Sequence, residues 1–415
     1  MINYINPEIV YSSIANMPQL VFEVTDACNL KCKYCGYGEM YDDYDAREEK
    51  MLPVDKALRL IDYLVDFWNS DRNKSTGKRT FISFYGGEPL LNMQFIKEVV
   101  DYVENKINCP NRKFTFSMTT NAILLHRYMD YLQAHGFFVL ISLDGNKENT
   151  SYRLDKSGQP SFDRIVRNAD MLKERYPEYF KNKVNFNAVL HNKNSVEEIY
   201  RFFKEKYDTI PYIGELNNVG IREEMKDTFR NTYRNSTESL NQSEHYEEIE
   251  KDMFIHSSNY KSVTMFIHKY SGFVFKDYTD LLFEPRIQKS LPTGTCIPFS
   301  KKMFVTVKGK ILPCERIGHQ FALGEITASG VQLDLEDISR RYNQWYAKFD
   351  QQCRLCKIAK SCIQCIFNVR DLDGSPVCHG FMNEEAFQNY VNTQMQFLEK
   401  HPEAYKKIME EVVVV

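Results

Sequence analysis

Short apolar runs alternate with amphipathic segments over the first half of the chain. The run 20–24 is mainly apolar and strand-like, and from Pro53 onward apolar residues recur at spacings of three and four, which is typical of a helix. The same alternation continues to a sixth strand at 212–216. Strands that alternate with helices predict a parallel sheet with right-handed crossovers. We therefore expect an α/β fold in this part of the chain.

The pattern changes twice after the sixth strand. Residues 217–290 lose the alternation and become polar, which predicts a connector or a substrate-facing insertion. From residue 291 the chain is rich in cysteine, and the hairpin-like runs 303–307 and 309–313 indicate a small second domain. Asn383 is a suitable cap for a last helix, and 412–415 is expected to be a frayed end. The predicted segments are an N-terminal extension (1–16), a sheet domain (17–216), the connector (217–290), a cysteine-rich domain (291–382) and a C-terminal helix and tail (383–415).

Composition adds limits on partners and location. The 415 residues carry 53 basic and 56 acidic side chains, so the net charge of −3 gives no strong field that would attract nucleic acid or an anionic membrane. The first residues do not form a signal peptide, and no run of eighteen or more apolar residues is present. We therefore expect a cytoplasmic protein with neither nucleic acid nor membrane as a partner.

Ten of the eleven cysteines fall into two groups, 28–35 and 296–378, and Cys109 stands alone. Such clustering in a long chain without a signal peptide favours metal ligation over disulfides. In the first group, Cys28, Cys32 and Cys35 could hold three irons of a cubane cluster and leave the fourth iron open. A zinc site would need a fourth ligand, and the nearest histidine in the sequence is His126. A redox Cys-x2-Cys pair would leave Cys28 without a role.

Polar residues follow each of the next three predicted strands: 86–89 after the second, 119–121 after the third and 142–145 after the fourth. In a parallel barrel the carboxyl ends of the strands converge on one mouth. These residues are therefore candidates for a common site with the first cysteine group.

The first cysteine group, with Tyr34 before its last member, resembles the signature of radical S-adenosylmethionine (SAM) enzymes. The segment Gly86, Gly87, Glu88 and Pro89 resembles the second motif of that family, whose backbone contacts the methionine amino group of SAM. The resemblance implies a partial (β/α)6 barrel of TIM type and a 4Fe–4S cluster whose open iron binds SAM. It further implies reductive cleavage of SAM to a 5′-deoxyadenosyl radical that abstracts hydrogen from the substrate. The positions similar to those that line the SAM site are Tyr34, Gly86, Gly87, Glu88, Pro89, Asn121, Ser142, Asp144 and Arg153.

The second cysteine group is similar in spacing to the SPASM extension of these enzymes, which implies two auxiliary iron–sulfur clusters, expected to be 4Fe–4S. By position, one cluster would take Cys353, Cys356, Cys362 and Cys378, and the other would take Cys296, Cys314 and Cys365 with one site open or filled from elsewhere. Only two residues separate Cys362 from Cys365, where the family pattern has three. The alternative is a zinc ribbon of Cys353, Cys356, Cys362 and Cys365, which leaves the other three cysteines without a role.

Enzymes with this extension mostly modify peptides or proteins. The favoured hypothesis is a maturase that installs a thioether or carbon–carbon crosslink in a ribosomally made peptide. An anaerobic sulfatase-maturating enzyme, which makes formylglycine from Cys or Ser, is the alternative. A third interpretation is a non-catalytic iron–sulfur electron carrier or zinc-binding scaffold. The segment 86–89 counts against it, because an electron carrier does not need a SAM site. The expected partners are a peptide or protein substrate, an electron donor such as flavodoxin or ferredoxin, and a separate leader-peptide recognition protein.

Glu315 follows Cys314 directly, at a position where sulfatase maturases often carry Asp. A carboxylate beside a cluster in a shielded cavity could act as a general base or hold the substrate. A salt bridge to Arg316 on the surface is the other interpretation.

Overall fold

The computed structural model describes residues 4–74, 79–270, 282, 291–369 and 371–412. Two parts of the predicted segments lie outside the described residues. They are 271–281 and 283–290 of the predicted connector and the last three residues of the predicted tail. The chain divides into two compact units. The barrel unit comprises 7–244 and 297–338, and the C-terminal unit comprises 1–6, 245–296 and 339–415.

Six parallel strands in chain order form the main sheet of the barrel unit, which confirms the predicted α/β fold. The strands are short, and the first is buried at six of its seven positions, as expected for a parallel sheet with covered faces, whereas the sixth has no buried residue. The strands are β1 (Gln19–Thr25), β2 (Arg79–Gly86), β3 (Lys113–Thr120), β4 (Phe138–Ser142), β5 (Val184–Leu190) and β6 (Tyr212–Glu215).

Helices connect these strands and cover the sheet, with their apolar faces turned inward. In the helix Val54–Trp68, for example, Leu60, Ile61 and Leu64 are fully buried. The helices of the unit are α1 (Pro7–Ala15), α2 (Val54–Trp68), α3 (Met93–Asn105), α4 (Leu125–Ala134), α5 (Phe162–Arg175), α6 (Pro177–Lys183), α7 (Val196–Tyr207), α8 (Lys226–Thr232) and α9 (Ser236–Asn241).

The hairpin expected to mark a separate second domain instead extends the sheet of the barrel. Strand β7 (Met303–Val305) pairs in parallel with β1, and β8 (Lys310–Leu312) follows it antiparallel. Strands β9 (Gly324–Thr327) and β10 (Gly330–Gln332) complete a ten-stranded sheet in the order β10-β9-β8-β7-β1-β2-β3-β4-β5-β6. All three residues of β7 are fully buried, because this strand covers the edge that β1 would otherwise expose.

Helices dominate the C-terminal unit. They include α10 (Tyr246–Met253), α11 (Ser258–Tyr270), α13 (Glu384–Lys400) and α14 (Pro402–Glu411), while α12 (Leu335–Leu355) begins in the barrel unit and continues into this one. Asn383 caps α13 as predicted, since its side chain accepts a hydrogen bond of 2.9 Å from the Ala386 amide. Val412, expected at a frayed end, is instead 8% exposed and packs in a cluster with Tyr260, Val263, Ile267, Ala404 and Ile408.

None of the helices in the described part of the chain combines the length and the apolar character that crossing a bilayer requires.

Candidate active site

The loop after β1 carries the first cysteine group at the carboxyl end of the sheet. Cys28, Cys32 and Cys35 are half-buried and free of disulfides. Backbone hydrogen bonds fix the loop to a distant segment: Lys31 N donates to Leu154 O at 2.7 Å, and Lys33 N donates to Tyr152 O at 3.1 Å. The loop therefore presents three thiols, the donor set that an iron–sulfur cluster requires.

The two glycines after β2 lie against the segment that leads into the cysteine loop. A Cβ on Gly87 would lie 2.0 Å from the carbonyl oxygen of Ala27, and one on Gly86 would lie 2.3 Å from that of Thr25. The same carbonyls accept hydrogen bonds, of 2.8 Å from Gly87 N to Thr25 and of 2.9 Å from Glu88 N to Ala27. The contact that requires glycine here is thus with the chain itself, whereas the sequence interpretation assigned it to a ligand.

Glu88 joins the ends of β2 and β3. Its fully buried carboxylate accepts hydrogen bonds from Thr120 Oγ1 at 2.6 Å and from the Asn121 amide at 2.7 Å. A third bond, from Leu90 N at 3.1 Å, caps the short turn that starts at Pro89. Burial raises the pKa of Glu88 to about 7, although these three bonds act in the opposite direction. Glu88 therefore aligns two strand ends.

Asn121 lies over the cysteine loop. Its Nδ2 is 2.7 Å from Asn29 Oδ1 and 3.7 Å from Cys28 Sγ. Ser142 is the last residue of β4, half-buried and in register with Asn187 of β5. Both residues thus stand at strand ends, and Asn121 approaches a predicted cluster ligand directly.

Asp144 and Arg153 form a buried ion pair beneath Tyr34. Arg153 donates to Asp144 through Nε at 3.0 Å and Nη2 at 2.8 Å, and Tyr34 Oη donates to the same carboxylate. The Val189 amide donates to it at 3.0 Å. Burial alone would raise the pKa of Asp144, but the charge of Arg153 and the hydrogen bonds lower it to about 2. The pair thereby fixes Tyr34, and with it the cysteine loop, to β4 and β5.

Two residues of this region were not predicted from the sequence. His191 is fully buried and stacks on Tyr34 with ring centroids 5.6 Å apart. Arg47 places Nη2 3.8 Å from Cys35 Sγ. A lone histidine after a strand and an arginine in the charged run 42–50 carry no motif, so no local signal would have identified either.

A cavity of about 560 Å³ lies in the barrel unit and is lined by both apolar and polar side chains. It reaches the amino ends of β1, β4, β5 and β6, whose first residues contribute to the lining: Gln19, Phe138, Val184 and Tyr212. Glu315 reaches this cavity and pairs with Lys302 at 3.1 Å rather than with Arg316. Burial favours a higher pKa for Glu315, but the charge of Lys302, hydrogen bonds and the charge of Arg316 together outweigh it and lower the pKa. Further lining residues are Ser83, Tyr85, Ser117, Thr119 and Asn185.

Several cysteines of the C-terminal unit lie close enough to affect one another's pKa. Burial raises the pKa of Cys353 to about 12, and the negative charges of its neighbours Cys362, Cys378 and Cys356 add to the effect. In Cys365, burial again raises the pKa, and Cys296 is the neighbouring thiol that contributes. Cys314 belongs to the barrel unit.

Throughout the described ranges, no three Cys, His, Asp or Glu side chains converge in a way that would hold a single metal ion.

Comparison with known proteins agrees with this geometry. Residues 22–205 match the family model of the Radical SAM superfamily. A cysteine-type anaerobic sulfatase-maturating enzyme of Clostridium novyi is 32% identical over 214 residues, which are 49% of this chain and 53% of that protein. One of Clostridium perfringens (strain ATCC 13124) is 24% identical over 83% of this chain and 86% of its own length. The chain thus spans about half of the first relative and most of the second.

A solved structure, native anSMEcpe with bound AdoMet and Kp18Cys peptide, shares the fold with a TM-score of 0.61 at 19% identity. The alignment covers 94% of this chain and 98% of the other.

Residues 22–205 are thus a radical SAM domain, and the predictions of this family and of an enzyme are confirmed. The chain is similar to an anaerobic sulfatase-maturating enzyme over 83% of its length.

Proposed function

We propose that this chain is a radical SAM maturase that abstracts hydrogen from a polypeptide substrate. The observation that carries the proposal is the loop with Cys28, Cys32 and Cys35, three free thiols held at the carboxyl end of β1 by the segment after β2. Their all-sulfur donor set fits a 4Fe–4S cluster with one iron left for SAM. When bound, the cluster and SAM would supply a radical able to abstract hydrogen, and the protein would supply geometry and exclusion of water.

The residues predicted to contact SAM fall into two groups according to their positions and hydrogen bonds in the structure. Gly86, Gly87, Asn121 and Ser142 stand at strand ends, and we propose that they contact SAM through backbone or amide groups. The polar atoms of Glu88, Asp144 and Arg153 form hydrogen bonds with other residues of the chain. We assign these three the task of holding the strand ends and Tyr34 in place, with Pro89 shaping the turn after Glu88.

We propose that the second cysteine group binds two auxiliary clusters. The mutual proximity of Cys353, Cys356, Cys362 and Cys378 supports the first set. For the second set, the proximity of Cys296 to Cys365 is the supporting contact, and Cys314 is assigned by sequence spacing. An external donor such as flavodoxin or ferredoxin would supply the reducing electron, and a separate protein would recognise a leader peptide.

We propose that the substrate is a polypeptide and that its reacting residue enters the cavity of about 560 Å³ in the barrel unit. Glu315 reaches this cavity as a charged carboxylate held by Lys302. We propose that Glu315 accepts a proton from the substrate residue or holds it by a hydrogen bond. The bound Kp18Cys peptide of anSMEcpe, which has the same fold, supports this substrate class.

Two reactions are candidates. A crosslink in a ribosomally made peptide is favoured by the segments 36–39 and 313–318, which resemble peptide maturases more than sulfatase maturases. Conversion of Cys or Ser to formylglycine is favoured by the alignment with the Clostridium perfringens enzyme over 83% of this chain. Both begin with the same hydrogen abstraction.

Anaerobic reconstitution with iron and sulfide, followed by SAM and dithionite, tests the proposal. We expect 5′-deoxyadenosine, measured by liquid chromatography and mass spectrometry, and its loss when Cys28, Cys32 and Cys35 are replaced by Ala. Cys109→Ala is the matched control, because Cys109 lies outside both groups, and it should leave the product unchanged. If the unmodified, fully loaded chain forms no 5′-deoxyadenosine, or if the triple variant still forms it, the proposal is wrong.

Coexpression with a candidate peptide or sulfatase, followed by intact-mass measurement, separates the two reactions. A loss of two hydrogens per crosslink supports the first, and the mass change of formylglycine formation supports the second.

A further inference from the structure

Arg47 is placed against the first cysteine group by a chain segment that returns to the end of β1. The carboxylate of Asp26 accepts hydrogen bonds from Glu48 N at 2.9 Å and from Lys50 N at 2.6 Å. The Lys50 carbonyl in turn accepts bonds from Asp26 N at 3.2 Å and from Thr25 Oγ1 at 2.7 Å. Four hydrogen bonds therefore hold the segment beside the start of the cysteine loop, and its position determines where Arg47 lies.

The guanidinium group of Arg47 is oriented by an aromatic ring and directed at a thiol. It lies 4.5 Å from the ring centroid of Tyr37, within the range of a cation–π contact. Its Nη2 is 3.8 Å from Cys35 Sγ. The side chain is only half-exposed, so solvent screens its charge less than it would screen that of a surface arginine.

Glu23 and Tyr37 enclose Arg47 on the side away from solvent. The Glu23 carboxylate is 2% exposed and accepts a bond of 2.8 Å from Val307 N. Arg47 Nε is buried and has no hydrogen-bond partner among the described residues. Arg47 and Tyr37 line a cavity of about 10 Å³, near the smallest size that holds a water molecule. The sulfur that the Arg47 guanidinium contacts is thus that of a predicted cluster ligand, Cys35.

We propose that Arg47 is a positioning residue that raises the reduction potential of the cluster held by Cys28, Cys32 and Cys35. The inference rests on the proposed function, because it requires a cluster at these cysteines. Reduction adds one electron and hence one negative charge to the cluster. A fixed cation and a donor N–H beside a ligand sulfur stabilise that added charge, as hydrogen bonds to cluster sulfurs do in general. Arg47 acts through Cys35 and does not itself contact the substrate.

The test is an EPR-monitored potential titration of the anaerobically reconstituted full chain without SAM, with dithionite as reductant. The triple variant with Cys28, Cys32 and Cys35 replaced by Ala supplies the signal of any auxiliary clusters for subtraction. For Arg47→Gln we expect the equilibrium constant for one-electron reduction to fall about tenfold, which is ~59 mV. Arg47→Lys, which keeps the charge, should recover part of the shift.

Arg175→Gln is the matched control, because it removes the same charge from an exposed pair with Asp130, and its potential should not change. If Arg47→Gln does not retain the cluster, Tyr37→Leu replaces it: removal of the ring under the guanidinium should also lower the potential. The role of Arg47 is overturned if the variant that holds the cluster, Arg47→Gln or Tyr37→Leu, has an unchanged or higher reduction potential. It is also overturned if Arg175→Gln shifts the potential by the same amount. If the unmodified chain loads no cluster at these cysteines, the proposed function and this inference both fail.

Discussion

Gly87 has no room for a side chain, although it lies at a turn where a small residue would ordinarily be interchangeable with alanine. A Cβ there would meet the Ala27 carbonyl oxygen at 2.0 Å, well inside van der Waals contact. Since Ala27 directly precedes Cys28, any adjustment would move the cysteine loop. The second motif and the cysteine motif are thus one structural element, joined by backbone contact.

Gly87→Ala should therefore lower the iron bound after reconstitution, because the cysteine loop can no longer hold its position. Gly36→Ala is the matched control: Gly36 directly follows Cys35, and an added Cβ would meet nothing within 4 Å. Iron per chain, measured with thermal unfolding on the same samples, checks the difference. Equal iron content in the two variants would contradict the coupling between the motifs.

At the scale of elements, Asp144 connects the cysteine loop with β4 and β5. Asp144→Asn would leave the guanidinium of Arg153 buried beside a neutral partner. Loss of one member of a buried pair costs about 3–5 kcal/mol in the free energy of unfolding, which urea denaturation can measure. Asp163→Asn, at an exposed pair with Lys147, should change little. A small effect of Asp144→Asn would show that the pair is not a main tie between these elements.

The pH dependence provides a second check on the same pair. The pKa of Asp144 is lowered to about 2 in the folded chain, below its ordinary value of 3.8. Its contribution to stability is therefore complete above pH ~4 and is lost as the pH falls through about 2. Asp144→Asn should remove this part of the acid sensitivity.

The elements near the site also show which features a sequence can predict. The alternation of strands and helices correctly predicted six parallel strands, because the hydrophobic periodicity of each segment can be identified from that segment alone. The placement of the hairpin at 303–313 was wrong, because a local pattern does not state which sheet a strand will join, and β7 pairs with β1 nearly 300 residues away. His191 was missed for the same reason, because its partner Tyr34 is distant in sequence. Arg47 lies only twelve residues from Cys35 but belongs to no motif, so its contact with the thiol gave no signal in the sequence.

At the scale of the whole molecule, the distribution of cysteines between two units predicts separable metal contents. Cys28, Cys32 and Cys35 lie in the barrel unit, whereas Cys353, Cys356, Cys362 and Cys378 lie together in the C-terminal unit. Loss of ligands in one unit should therefore leave iron in the other. Three cubane clusters would give roughly 12 iron atoms per chain.

Replacing both Cys353 and Cys378 by Ala should lower the iron content by about four atoms per chain, one cubane cluster. Because SAM binds at the other group, the EPR change that SAM causes in the first cluster should persist. Metal analysis and EPR of the reconstituted protein measure both effects, with Cys109→Ala as the control. If the unmodified chain instead holds one zinc ion that the double variant loses without any change in iron, these cysteines form a zinc ribbon. In that case the auxiliary clusters would be excluded at this position, while the SAM site in the barrel unit would stand unaffected.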